Sequence, residues 1–237
     1  MADKLIFGRG NAKLSKDIYT FSLPAGHSCP SAKLCYSKAD KVTGKLRDGK
    51  HLRFRCFAAS QEAVFTNVRK SRWHNFNLLR NKKEAEMIEL ISSSLPEQAS
   101  VIRIHVSGDF FNEQYLRAWI GVAKKHPDII FYSYTKSLKY WVKNRPIPHN
   151  LKLNASAGGM EDSLIDEYKL KYAKVVFSEE EAEKLGLRID HTDEMAYGQD
   201  RSFALLLHGQ QPAGSEAAEA IKQLKKKGVK FAYGKKD

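Results

Sequence analysis

The spacing of apolar and polar residues divides the chain into three stretches. Up to about residue 60 no period persists: a mostly apolar run over Asp17–Leu23 reads as a strand, and Pro24-Ala25-Gly26 turns the chain after it. From Ala58 to about Leu95 apolar residues recur at helical spacing, with Val64, Val68, Trp73, Phe76 and Leu79 followed by Met87, Ile88 and Ile91. Pro96 closes that stretch. Beyond it one unit repeats: a short apolar run, a few polar residues, then an amphipathic segment. The runs are Val101–Val106, Ile129–Tyr134, Leu151–Ala155, Val175–Phe177 and Phe203–Leu207. The amphipathic segments include Glu113–Lys125, Asp162–Tyr168, Glu179–Leu185 and Ser215–Lys227, with a shorter one ending before Pro146.

Strand–helix alternation of this kind builds a parallel sheet through right-handed crossovers. The pattern therefore predicts an α/β fold of about six parallel strands in a single domain over 1–237. Its parts are a cysteine-bearing segment over 17–60, a helical segment over 61–95 and β/α repeats over 101–237. A partial (β/α) barrel and an open doubly wound sheet both satisfy the alternation. The partial barrel is favoured because successive strands end in polar groups, and barrels gather strand C-termini on one functional face.

All three cysteines of the chain, Cys29, Cys35 and Cys56, fall directly after the first strand, as C-x5-C-x20-C. An odd number does not complete a disulfide framework, and nothing at the N-terminus reads as a signal peptide, so an oxidising compartment is not expected. Three thiolates at one place suit a [4Fe-4S] cluster with one open iron. They equally suit three corners of a zinc site completed by His27 or His51. Cysteines that are merely buried small hydrophobes are the remaining alternative.

Charge adds a partner class. The formal charge is +13, and residues 38–83 hold thirteen Lys and Arg against Asp40, Asp48 and Glu62, a net of +10. Such a block attracts nucleic acid, a nucleotide or another polyanion, unless it is only a solvated basic face. Thr43-Gly44 and Asp48-Gly49 suggest that part of it is a basic hairpin between the second and third cysteines. Lys225-Lys226-Lys227 and Lys235-Lys236 read as a helix end and a tail. No apolar run reaches the length of about 18 residues that a membrane span needs. No membrane partner and a cytoplasmic location are expected.

On a barrel-like layout the polar strand ends share the rim with the cysteines. Ser107, Gly108 and Asp109 follow the second strand, with His105 just before them. Tyr134, Thr135, Lys136 and Ser137 end the third, Asn154 and Ser156 the fourth, Ser178 and Glu179 the fifth, His208 and Gln210 the sixth. Ser107, Gly108, Asp109, Lys136, Ser137, Asn154 and Ser156 are the candidate cofactor-binding residues. A carboxylate can take an amine, a lysine a carboxylate or phosphate, and hydroxyls a ribose. Each also has a plainer reading as a cap, a turn or a solvated side chain.

Several stretches carry a family resemblance: Phe21-Ser-Leu-Pro-Ala-Gly-His-Ser-Cys-Pro, Phe54-Arg-Cys-Phe-Ala-Ala-Ser, Arg72-Trp-His-Asn-Phe, His105-Val-Ser-Gly-Asp-Phe, Tyr134-Thr-Lys-Ser and Gln211-Pro-Ala-Gly-Ser-Glu. They resemble the "gene product 88" family of actinobacteriophages over nearly the whole chain, which implies a phage protein acting in the host cytoplasm but no stated activity. A more distant likeness is architectural. A strand, three cysteines, then β/α units with a Gly-acid turn resembles the radical S-adenosylmethionine superfamily. That likeness implies Cys29, Cys35 and Cys56 as [4Fe-4S] ligands, with S-adenosylmethionine chelating the open iron and an electron donor as partner. Ser107-Gly108-Asp109 would stand where that superfamily has Gly-Gly-Glu. Polar groups such as Lys136, Asn154 and Ser156 would meet the methionine carboxylate and the ribose. The superfamily spacing is C-x3-C-x2-C, so this chain departs from it. A cluster that binds no S-adenosylmethionine stays open beside the radical reading.

Overall fold

The computed structural model describes residues 4–10, 14–198 and 200–229. Lys235 and Lys236 lie outside them. Nine strands and nine helices follow one another among the described residues. The N-terminal part holds β1 (Gly8–Arg9), β2 (Ile18–Ser22), β3 (Ser37–Ala39) and β4 (Leu46–Asp48), then helices α1 (Phe57–Val64), α2 (Thr66–Leu79) and α3 (Glu84–Ser94). The repeats follow as β5 (Val101–Ser107), α4 (Glu113–Lys125), β6 (Ile130–Thr135), α5 (Leu138–Lys143), β7 (Leu151–Ser156), α6 (Ser163–Glu167) and β8 (Tyr172–Val176). The chain continues with α7 (Glu179–Lys184), α8 (Glu194–Gly198), β9 (Phe203–Leu206) and α9 (Glu216–Lys226).

Seven strands form one sheet in the order β1-β2-β5-β6-β7-β8-β9, and β3 pairs with β4 as a separate antiparallel hairpin. The six strands from β2 to β9 run parallel, as the alternation predicts. They also lie in chain order with no reversal, so the sheet has no topological switch point and is not doubly wound. Among the described residues β1 and β9 stay unpaired with each other, so the sheet is open and not a closed barrel. Two elements depart from the sequence reading. Edge strand β1 pairs antiparallel with β2 in a stretch where the sequence shows no period. The short helix α8 packs on β6 and β7.

Alternation along the strands gives each sheet face its own core. Ile102, Ile104, Phe131, Leu153 and Ala155 pack with Met87, Ile91, Leu116 and Trp119 from α3 and α4. Tyr132, Ala173 and Phe203, on the other face, pack with Met195 and Ala196 of α8. Helix α4 begins at Asn112, whose side chain accepts the Tyr115 N–H at 2.8 Å, and ends on Lys124 and Lys125, where cations suit the helix dipole.

The β2–β5 ladder is irregular where it matters. Thr20 pairs with Arg103 and Ser22 with Ser107, so β5 carries two extra residues between these contacts. His105 lies inside this bulge with φ +66°. The bulge turns the His105 side chain into the helix-side core, against Tyr115 and Phe110, and carries Ser107 to the strand end.

Candidate metal centre at the strand ends

The three cysteines come from three segments, and each segment is fixed to a different strand end. Cys29 follows the turn after β2, which is tied down where Leu23 N–H donates to the Ser107 carbonyl at 2.9 Å and Ser28 Oγ to the Pro24 carbonyl at 2.8 Å. Gly108, at φ +88°, sits against this turn; a Cβ there would lie 2.6 Å from Ser28 Oγ and 2.7 Å from Leu23 Cβ. The close approach that Gly108 permits is therefore made by the protein's own cysteine loop, not by a ligand. Cys35 is stitched to the end of β7: Leu34 N–H donates to Gly158 O at 2.9 Å, Met160 N–H to Ser31 O at 2.9 Å, and Ala32 bridges Gly159. Cys56 is the N-cap of α1. Its neighbour Arg55 is held from beyond β9 by Gln211, whose Oε1 accepts the Arg55 N–H at 2.7 Å.

All three cysteines line one cavity of about 170 Å³. Ser107, Gly108, Asp109, Lys136 and Ser156 line it too, so eight of the ten candidate residues meet there. The remaining two do not face it. Ser137 is buried, with its hydroxyl donating to Phe110 O at 2.9 Å. Asn154 is buried in β7 and donates to Ser133 O and Ala196 O. Much of the wall is apolar and aromatic, built by Phe54, Phe57, Val106, Tyr134, Val175 and Leu205. Arg103 also lines it, paired with Asp193 at 2.5 Å. These residues escape a motif reading because they are ordinary strand and loop positions that only the fold brings together.

Electrostatics distinguish the members. Burial pushes the Cys29 thiol well up, and the charges of Asp109 and Cys56 push the same way, against a Gly26 N–H donated to Sγ at 3.4 Å. Cys56 is pushed up to about 11 by burial and then by Cys35, while the N–H groups of Ala59 and Ala58 at the start of α1 oppose the shift. The thiols thus lie close enough to oppose one another's ionisation, and a bound cation would remove that opposition. Among the described residues no group of three or more His, Cys, Asp or Glu side chains is gathered tightly enough for one metal ion. Of the candidate fourth ligands, His27 places Nε2 2.9 Å from Ala39 O, and His51 is exposed.

Asp109 and Lys136 are already heavily engaged. Asp109 Oδ1 accepts the Thr135 hydroxyl at 2.6 Å and the Phe110 N–H at 2.7 Å, and Oδ2 accepts the Lys136 N–H at 2.8 Å. Burial nevertheless raises its carboxyl to about 6. Lys136 Nζ donates to Ser156 O at 2.7 Å, Ser156 Oγ at 2.7 Å and Ala157 O at 3.0 Å, which uses all three of its protons. Both residues therefore lock neighbouring strand ends together as well as lining the cavity.

Below the rim lies a support that no motif announces. Glu62 is fully buried; its Oε1 accepts from Ala25 N–H at 2.8 Å, Arg72 Nη1 at 2.9 Å and Ser107 Oγ at 3.2 Å. One carboxylate thus joins the cysteine loop, α1, α2 and the end of β5. Its only sequence signal is an isolated acid in a basic stretch.

Among the described residues no helix is long and apolar enough to cross a membrane. No solved structure matches the chain. The "Gene 88 protein" of Mycobacterium phage L5 is 29% identical over 128 residues, covering 49% of this chain and 47% of that protein. The protein of the same name from Mycobacterium phage D29 is 27% identical over 128 residues with the same coverage. Each match spans about half the length of the relative. The family model described as "Gene product 88" matches residues 4–227, nearly the whole chain, which therefore belongs to the gene product 88 family.

Proposed function

We propose that this chain is an iron–sulfur protein that holds a [4Fe-4S] cluster through Cys29, Cys35 and Cys56 on a partial-barrel, radical-S-adenosylmethionine-like sheet. One observation carries the reading: cysteines fixed to three separate strand ends line a single cavity with Ser107, Gly108 and Asp109. The sequential order of six parallel strands supports the partial barrel, because a sheet that adds each strand on the same side is the arc of a (β/α) barrel.

The donor set favours a cluster over zinc: neither His27 nor His51, the candidate fourth zinc ligands, lines the cavity of the three thiols. A cluster gives each cysteine its own iron and needs no fourth protein ligand at the open one. With three protein thiolates one iron stays open, and a bound cluster with S-adenosylmethionine would supply one-electron chemistry there. The protein's part is to fix the three sulfurs, donate the Gly26 N–H to Cys29, and hold Asp109 in the wall of the cavity. The substrate class that suits the basic segment over 38–83 is a nucleotide or nucleic acid, met in the cytoplasm of an infected host, with an electron donor as second partner.

Anaerobic reconstitution tests this directly. About four irons per chain and a broad absorbance near 400 nm are expected, with loss of most of both in each of Cys29→Ser, Cys35→Ser and Cys56→Ser. Release of 5′-deoxyadenosine on reduction with S-adenosylmethionine would select the radical version. Colourless protein holding one zinc would overturn the cluster.

A further inference from the structure

A second cavity of about 360 Å³ lies on the outer side of the cysteine loop and shares Cys29 and Ala32 with the first. Its wall carries Lys33, Lys50, His27, His51 and Tyr36, and no carboxylate. The absence of acid from that wall has a structural cause. The acids of the adjoining hairpin are turned elsewhere: Asp48 takes the Arg55 guanidinium on both oxygens, and Asp40 accepts the Val42 and Thr43 N–H groups of its own turn. Glu161, on the neighbouring rim loop, accepts from Ser31 Oγ and the Lys139 N–H. Among the described residues Lys33 and Lys50 make no salt bridge, and both are exposed.

The pocket is also rigidly built. Gly26, at φ +70°, lets the hairpin approach so closely that a Cβ would lie 2.5 Å from Ser37 O. Gly49 N–H donates to Tyr36 O at 2.7 Å and closes the opposite side. His27 is held by Ala39 O and by the edge of Trp73, with ring centroids 4.8 Å apart. Two lysines without an ion-pair partner among the described residues line this preformed concavity beside His51, and they match a phosphate group in charge and in donor number.

We propose that this outer pocket is a phosphate-ester subsite, which holds a phosphate of a nucleotide or of a nucleic-acid strand one wall away from the cysteine cavity. As a statement about substrate it rests on the cluster reading; as a statement about a binding site it needs only Lys33, Lys50, His51 and the fold.

Fluorescence anisotropy with a labelled single-stranded DNA 20-mer, and competition by adenosine 5′-monophosphate, test it on the full chain before and after iron–sulfur reconstitution. Lys33→Glu/Lys50→Glu is expected to weaken binding at least about tenfold at low salt and to flatten the salt slope by roughly 1, since each lost phosphate contact on a single strand removes about 0.7. His51→Ala should weaken it less without changing the fold. The matched control is Lys124→Glu/Lys226→Glu, exposed charges in the last turns of α4 and α9. Competition by the mononucleotide that is lost in the Lys33/Lys50 variant identifies a nucleotide; binding confined to the 20-mer identifies a strand. Either outcome supports the subsite. Equal weakening by the control pair, or no binding of either probe, overturns it. Intact iron loading with no phosphate binding removes the subsite and leaves the cluster; phosphate binding without iron does the reverse.

Discussion

Arg55 and Gln211 stand 156 positions apart, yet Gln211 pairs with the Arg55 backbone through both ends of its amide. The Arg55 N–H donates to Oε1 at 2.7 Å, and Nε2 donates to the Arg55 carbonyl at 3.2 Å and to the His208 carbonyl at 3.1 Å. The last strand end thereby sets the position of the segment that presents Cys56. Gln211→Ala removes these bonds and is expected to cost about 1–3 kcal/mol in urea unfolding. Gln211→Glu keeps the acceptor for Arg55 N–H but sets a carboxylate against the Arg55 and His208 carbonyls, so it should cost at least as much as Gln211→Ala. The discriminating readout is Cys56 alkylation in the folded metal-free protein. It should accelerate in Gln211→Ala, and an unchanged rate would show that the bonds do not hold the loop.

The buried pair Arg72–Glu62, at 2.9 Å and with both side chains nearly inaccessible, makes a sharper stability prediction. Removing one partner strands a charge without solvent, so Glu62→Leu or Arg72→Met should each cost about 3–5 kcal/mol. Because Glu62 also holds Ala25 and Ser107, the double variant should regain part of that loss but not all of it. Double-mutant urea titrations measure the coupling. Strict additivity would mean that the two residues act independently despite their contact.

The parallel repeat was legible because β5, β6 and β7 are dense apolar runs bounded by polar turns, and periodicity reports burial on each sheet face. The cysteines and Ser107-Gly108-Asp109 stand out in the sequence as reactive residue types at strand ends, and the fold brings them to one cavity. Proximity in sequence places Asn154 and Ser137 on the rim, yet both are buried and bonded within the packed interior. A strand end fixes where a residue lies, but a single step of the pleat decides which way its side chain faces. Gly108 serves the cysteine loop as well as the cavity, since a Cβ there would meet Ser28 and Leu23. Glu62 and Gln211 hold Ala25 and Arg55, partners 37 and 156 residues distant, which local pattern cannot register.

Thiol titration offers a measurement that does not depend on any bound group. Burial, with neighbouring charge, pushes Cys29 well up and Cys56 up to about 11. In the folded, metal-free protein at pH 8 Cys56 should react with iodoacetamide on the order of a hundredfold more slowly than in urea, and Cys29 should also be slowed, because only the thiolate attacks. Cys56 modification should rise steeply only as the pH approaches about 11. Peptide mapping by mass spectrometry resolves the sites. Rapid Cys56 labelling at pH 8 in folded protein would contradict the burial that raises it.

Asp109 and His105 pull the pH dependence of stability in opposite directions. Burial raises the Asp109 carboxyl from its usual 3.8 to about 6, so between pH 4 and 6 the folded chain holds a proton that the unfolded chain has lost. Stability from this group is present at low pH and falls as pH rises through that window. Burial, followed by the charge of Arg103, lowers His105 from 6.5 to about 3, so below pH 6.5 the unfolded chain takes a proton that the folded chain refuses. Stability from His105 is present above pH 6.5 and falls as pH drops toward 3. The two slopes oppose each other between pH 4 and 6 and should leave the parent protein nearly flat there. Asp109→Asn should expose a rise of up to about 3 kcal/mol across the window, and His105→Gln a fall of similar size. Urea midpoints at pH 4, 5, 6 and 7 read the slopes whatever each substitution costs overall. Curves parallel to the parent in both variants would mean that neither group titrates as its burial requires.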